Sequence, residues 1–326
     1  THIHTGPNYD LAPQEGFYGL HVATRYLPDH LKPLAEKYTE DMMTPYEVGL
    51  FLVDRIAEAI KEYGAMSENE RNLFDALRSY KQKALNLVET ETESRKYIVK
   101  FLIALLTKRL LSGNYAFATT WWNHFSGLNE EEVTDQEVDY AITRASEEIT
   151  DDREKDLRQE EAVRKIGTWF SRNAHLMSHE ISLISSILEK TGMTGDFVSR
   201  ELGKETGEIP DTKWDALIGW VNNNLKINGK MRQDERVIIF TEYKHTLDYL
   251  KKRFEIAGLK EPVLQTLSGG ATQKEREDLK EYFNDPSSPL SILLVTDVAS
   301  EGINLQNNCR FVIHYEIPWN PMRLEQ

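Results

Sequence analysis

Apolar residues recur at helical spacing through the first two-thirds of the chain and then change to short continuous runs. Thr44-Pro45-Tyr46-Glu47 has the form of a capping box with proline at the first helical position. Tyr46, Leu50, Val53, Ala57 and Ile60 follow on one face, and Gly64 closes that helix. Ser67 with Glu70 repeats the box and opens a second helix, with Leu73, Phe74, Leu77, Ala84 and Leu85 on its apolar side. The spacing predicts a third helix from about Glu93 to Leu111, others over about 134–158 and 159–191, and one from Thr212 to Leu225. Gly203 to Pro210 reads as a loop, and residues 1–30 are turn-rich.

From Glu235 the period changes. Arg236 to Phe240 contains a continuous apolar run, the pattern of a strand buried on both faces. Tyr243 to Ile256 follows as an amphipathic helix with Leu247, Leu250 and Phe254 inward. Pro262–Leu267 is a second strand, Thr272–Phe283 a helix, Ser291–Val295 a third strand and Arg310–His314 a fourth. Strands alternating with helices at this spacing predict βαβ units and a mostly parallel sheet. The fold class is therefore mixed α and α/β, a mainly helical domain over 1–228 followed by an α/β sheet domain over 229–326.

Charge and cysteine usage narrow this picture. The 326 residues carry a formal charge of −14, which excludes a basic protein that coats nucleic acid over its whole surface. Asn129 to Glu161 alone holds 14 acids against 4 bases. That segment reads either as a solvated helix face or connector, or as an acidic lure for a basic partner. The single cysteine, Cys309, excludes an internal disulfide or a cysteine-based metal cluster and predicts a reducing, cytoplasmic setting. Leu110 to Asn129 has no formal charge but is too polar for a bilayer helix, so no membrane association is expected. No basic tip precedes an apolar run at the start, so no secretory signal is read. The chain begins without Met and stops at Leu324-Glu325-Gln326, and is expected to be a piece of a longer protein.

Open parallel sheets collect ligands at the carboxyl ends of their strands. Three strands here end in a hydroxyl and a polar loop: Thr241 to Lys244, Ser268-Gly269-Gly270, and Thr296-Asp297. Hydroxyls and a glycine nest ahead of a helix can track a phosphate backbone without many basic side chains. Ser, Thr and Gly also populate strand-to-helix turns for purely structural reasons. Trp121-Trp122 with Phe117 and Phe125 reads as core or interdomain packing, and Trp319 as packing or base stacking. His175 and His179 could share a helix face, but no third ligand stands beside them, so no metal site is expected.

The stretch Thr296-Asp-Val-Ala-Ser-Glu-Gly-Ile-Asn-Leu-Gln306 resembles motif V of superfamily 2 helicases and SWI/SNF-type translocases. Arg236–Leu250 resembles motif IV, Leu267–Phe283 the element between the two, and His314–Gln326 the run into motif VI, with Gln326 at its start. Lys108–Phe117 resembles a signature preceding the second motor domain in the bacterial SWI/SNF-like group that includes the helicase of the DISARM phage-defence system; Gly113 stands where a second serine is usual.

The resemblance implies that 229–326 is a RecA-like helicase C-terminal domain, incomplete at its end. It implies that Thr241, Lys244, Ser268, Gly269, Gly270, Thr296 and Asp297 face a nucleic acid, duplex DNA being favoured. Glu301, Gly302, Asn304 and Gln306 would face ATP or order that loop, although Asn304 could equally cap a turn. ATP and Mg²⁺ would sit against a first RecA-like domain that supplies the Mg²⁺ ligands. The chain holds no G-x-x-x-x-G-K-[ST], and the motif VI arginines would follow Gln326, so the chain alone is expected to be inactive. The alternative reading is a helical protein-interaction module carrying a motor remnant. A Rossmann-like enzyme is excluded because no G-x-G-x-x-G follows a strand.

Overall fold

Side-chain caps set where the helices begin. In the computed structural model, which describes residues 67–131, 133–296, 305, 309 and 311–316, helix α1 (Glu68–Leu87) opens on Ser67. The Ser67 hydroxyl accepts from the Glu70 N–H while the Glu70 carboxylate accepts from the Ser67 N–H, the reciprocal box the sequence predicts. Thr92 caps α2 (Glu93–Ser112). The middle of that helix, Phe101 to Leu106, is apolar all round, and with Ile98, Val99, Leu102, Ile103 and Leu106 buried it lies in the core of the helical part.

The uncharged stretch after it forms a further helix, α3 (Asn114–Gly127), that periodicity did not resolve. Only extended Gly113 separates the two. Phe117 and Trp121 are buried in the helical core, with Trp122 and Phe125 packed against it. Two more helices, α4 (Asp135–Ser146) and α5 (Asp152–Phe170), correct the expected break at 158/159, which falls instead at 147–151. The reason is Asp151, whose carboxylate accepts from the Arg153 and Glu154 N–H groups and starts α5 there. A 3₁₀ segment, Ser171–Met177, leads into α6 (Ser178–Lys190) and the short α7 (Gly195–Ser199). The expected loop at 203–210 contains one 3₁₀ turn, Lys204–Glu208.

Asp211 caps α8 (Thr212–Asn224), which leads into a two-residue hairpin, β1 (Lys226–Ile227) with β2 (Lys230–Met231). Its turn is Asn228-Gly229, both at positive φ, as a tight hairpin requires. The domain boundary expected at 228/229 falls inside this turn. Trp214, Leu217 and Val221 of α8 pack in one cluster with the sheet residues that follow.

The sheet contains β3 (Val237–Thr241), β4 (Leu264–Leu267), β5 (Ile292–Thr296) and β6 (Phe311–His314), in the order β4-β5-β3-β6 and all parallel. Helices α9 (Lys244–Ile256) and α10 (Gln273–Asn284) form the crossovers. The apolar runs are continuous because both faces are covered. Val237, Ile239, Ile292 and Leu294 face α8 and α9, while Ile238, Leu293 and Val295 face Phe283 of α10. The expected α/β pattern is thus present, next to a helical part.

Thr44–Gly64, His2, His4, Trp319 and Gln326 lie outside the described residues, as do Asp297, Glu301, Gly302, Asn304 and Gln306 of the motif V stretch. Among the described residues no helix is long and apolar enough to cross a membrane, and no group of three or more His, Cys, Asp or Glu is placed to hold a metal ion.

Candidate nucleic-acid interface

Parallel registration brings the strand ends together. Thr241 at the end of β3 pairs with Thr296 at the end of β5, and Leu267 of β4 pairs with Val295. The loop Ser268-Gly269-Gly270 therefore emerges beside Thr296. It turns tightly, the Ala271 N–H donating to the Ser268 carbonyl at 3.0 Å, and enters α10 through a Thr272–Glu275 capping box. Arg276 folds back and donates to the Ala271 and Gly269 carbonyls at 3.2 and 3.3 Å, which helps to shape the loop.

The structure gives Thr241, Thr296 and Gly269 partners from distant parts of the chain. Thr296 is buried and donates to Asp152 Oδ2, which also accepts from the Gly269 N–H at 2.6 Å. Thr241 is buried too and donates to Glu316 Oε1 at 2.8 Å. Lys244 pairs with Asp248 one turn along α9. Gly270 is exposed, and a side chain there would approach Asp151 Oδ2 at 3.6 Å.

The Lys108–Phe117 stretch grips the sheet domain. Arg109 Nη2 reaches Asp156 Oδ1 at 2.7 Å, and its guanidinium lies 3.8 Å from the centre of the Tyr243 ring. Ser112 Oγ bonds Thr246 Oγ1 at 2.6 Å and donates to Glu316. Tyr115 stacks on Tyr249 at 5.0 Å. Lys213 Nζ donates to the Leu111 and Ser112 carbonyls at 2.9 Å each, completing the open end of α2. Asp156 Oδ2 accepts from the His245 N–H at 3.1 Å, so a carboxylate from α5 serves the first turn of α9, where Tyr243 makes no side-chain cap.

Sequence reasoning had not singled out Asp152, Asp156 or Glu316. Glu316 lies within the His314–Gln326 run and collects three donors, the third being the Glu242 N–H at 3.2 Å. Burial raises its carboxyl pKa to about 7, against the pull of Lys213 and the hydroxyls of Ser112 and Thr241. The folded state then keeps a proton that the unfolded chain has already released, and stability falls as pH rises from about 5 through 7. Buried His124, whose pKa is lowered to about 4, pulls the other way, so the Glu316 contribution is read as the stability of wild type minus that of Glu316→Gln by urea unfolding, and this difference should fall by roughly 2 kcal/mol between pH 5.5 and pH 8. An identical pH slope in the variant would remove Glu316 as the source.

Residues 215–326 match the family described as helicase conserved C-terminal domain. The chain is 28% identical over 211 residues to an uncharacterized ATP-dependent helicase, YqhH, of Bacillus subtilis (strain 168), covering 62% of this chain and 35% of that protein. It is 30% identical over 94 residues to a probable ATP-dependent RNA helicase, ddx17, of Dictyostelium discoideum, covering 29% of this chain and 11% of that one. Over 100 residues it is 29% identical to the SNF2 domain-containing protein CLASSY 4 of Arabidopsis thaliana, covering 30% and 9%. The chain thus spans about a third or less of the length of these relatives. Residues 215–326, which hold the parallel sheet, match the helicase conserved C-terminal domain, and the chain is similar to the C-terminal half of superfamily 2, SWI/SNF-like helicases.

Proposed function

We propose that this chain supplies the nucleic-acid track and one face of the interdomain ATP site in an ATP-dependent, SWI/SNF-like DNA translocase. The observation that supports this best is the side-by-side placement of Thr241, Thr296 and the Ser268–Gly270 loop along one carboxyl edge of a parallel sheet. Hydroxyls and backbone N–H groups on such an edge fit the oxygens of a sugar-phosphate backbone, which they hold without reading sequence. Duplex DNA is the preferred track, and the helical part is open to protein partners. We count α8 with the sheet domain, because its apolar face shares that core.

Glu301, Gly302, Asn304 and Gln306 are the ATP-facing residues of this reading, with ATP and Mg²⁺ completed by a first RecA-like domain. These four lie outside the described residues. The chain holds no phosphate loop of the G-x-x-x-x-G-K-[ST] form. Two assays test the proposal. The chain alone should turn over no ATP with duplex DNA present, and robust turnover would overturn that part. Duplex binding should weaken as salt rises; salt-insensitive capture of a protein, with no DNA binding, would favour the interaction-module reading instead.

A further inference from the structure

The acidic segment does not lie free. Its helix α5 runs its first turns along the strand ends, and Asp152 is only 2% exposed there. One carboxylate oxygen, Oδ2, takes the Thr296 hydroxyl and the Gly269 N–H together. A backbone phosphate on this edge would need the same two donors, and an anionic oxygen between a hydroxyl and an amide is what either group offers. Asp151 faces Gly270 on the same edge.

Asp152 and Asp156 differ in a way that separates a gate from a rivet. Asp156 is held by the Arg109 guanidinium in a buried ion pair. Asp152 has no cationic partner among the described residues, and its Oδ1 is buried with no hydrogen-bond partner among them. A buried carboxylate with one oxygen unsatisfied carries a standing desolvation cost. A phosphate, bringing more oxygens and remaining partly in water, can replace it.

We propose that Asp152 occupies the position of a nucleic-acid phosphate, so that the N-terminal turn of α5 holds the strand-end site shut until a nucleic acid displaces it. This rests on the nucleic-acid reading above. The apparent affinity is then that of the open form multiplied by the fraction of molecules that are open. The like charges of Asp151 and Asp152 add repulsion toward an approaching backbone.

The test uses the full chain and a fluorescent duplex of about 20 base pairs, read by anisotropy at fixed low salt. Asp152→Asn keeps the shape and removes the charge, and should tighten binding about tenfold or more. Glu148→Gln, which removes an exposed charge from the same segment, should change it less than about twofold. Adding Thr296→Val to Asp152→Asn should abolish the gain. Equal binding by wild type and Asp152→Asn, with Thr296→Val weakening both, overturns the gate and leaves the nucleic-acid reading standing. A gain that survives Thr296→Val, or is matched by Glu148→Gln, is general electrostatics and also overturns it. Absence of binding by every variant overturns both readings. Hydrogen exchange on the wild type gives an independent measure: saturating duplex should speed exchange over residues 152–160, and unchanged protection with DNA bound refutes the gate.

Discussion

Replacing Arg109 with methionine is expected to lower the unfolding free energy by about 3–5 kcal/mol, read by urea denaturation at pH 7. Arg109 and Asp156 are 0% and 3% exposed, and their contact at 2.7 Å is reinforced by Gln159 Oε1 at 2.9 Å from the same nitrogen. Burial alone would push the Asp156 carboxyl up, but Arg109 and His245 more than offset this and hold it below the usual carboxylate range. Without Arg109 the carboxylate is left charged in the interior, still tied to the His245 N–H. The pair itself contributes far less than the cost of breaking it, since both charges gave up hydration to form it. The double variant Arg109→Met/Asp156→Asn should therefore lose much less than the two single losses added, because asparagine keeps an acceptor for His245 and buries no charge. Additive losses would show that the two side chains act independently.

The sheet domain was largely legible in the sequence because each buried strand is a short apolar run bounded by polar turns. Strands read over 262–267, 291–295 and 310–314 begin and end within two residues of β4, β5 and β6. The alignment of Thr241, Thr296 and Ser268 along one edge follows from the same pattern, once strands run parallel with their ends in register. The helical part was less legible for local reasons. In the acidic run almost any Asp or Glu could start a helix, so Asp151 did not stand out as the cap that begins α5. Between α2 and α3 the only punctuation is Gly113, within one long uncharged stretch. The partners of the site residues were hidden for another reason. Asp152 and Glu316 meet Gly269, Thr296, Ser112 and Thr241 across 75 to 204 positions of chain, and no periodicity marks such a pairing.

Backbone distance should give the same substitution opposite signs at two glycines. Alanine is favoured over glycine inside a helix by about 1 kcal/mol, so propensity alone makes both Gly167→Ala and Gly219→Ala stabilising. At Gly219 in α8 no described atom lies within 4 Å of where the new methyl would stand, and a gain of up to about 1 kcal/mol is expected. At Gly167 in α5 the methyl would stand 2.2 Å from the His124 carbonyl oxygen and 3.1 Å from the Gly127 Cα. Gly127 is equally constrained from the α3 side, at 2.0 Å from the Arg164 carbonyl oxygen. These neighbours are backbone and cannot rotate aside, so α3 and α5 must separate along a contact that buries Trp121, Val163, Ile166 and Phe170. Overpacking of this kind costs about 1–3 kcal/mol where side chains can yield, and backbone contacts place Gly167→Ala at the upper end, about 3 kcal/mol destabilising after the helix gain is included. Thermal unfolding of the two variants beside wild type measures both signs at once. A Gly167→Ala protein as stable as wild type would mean that α3 and α5 do not cross at backbone contact.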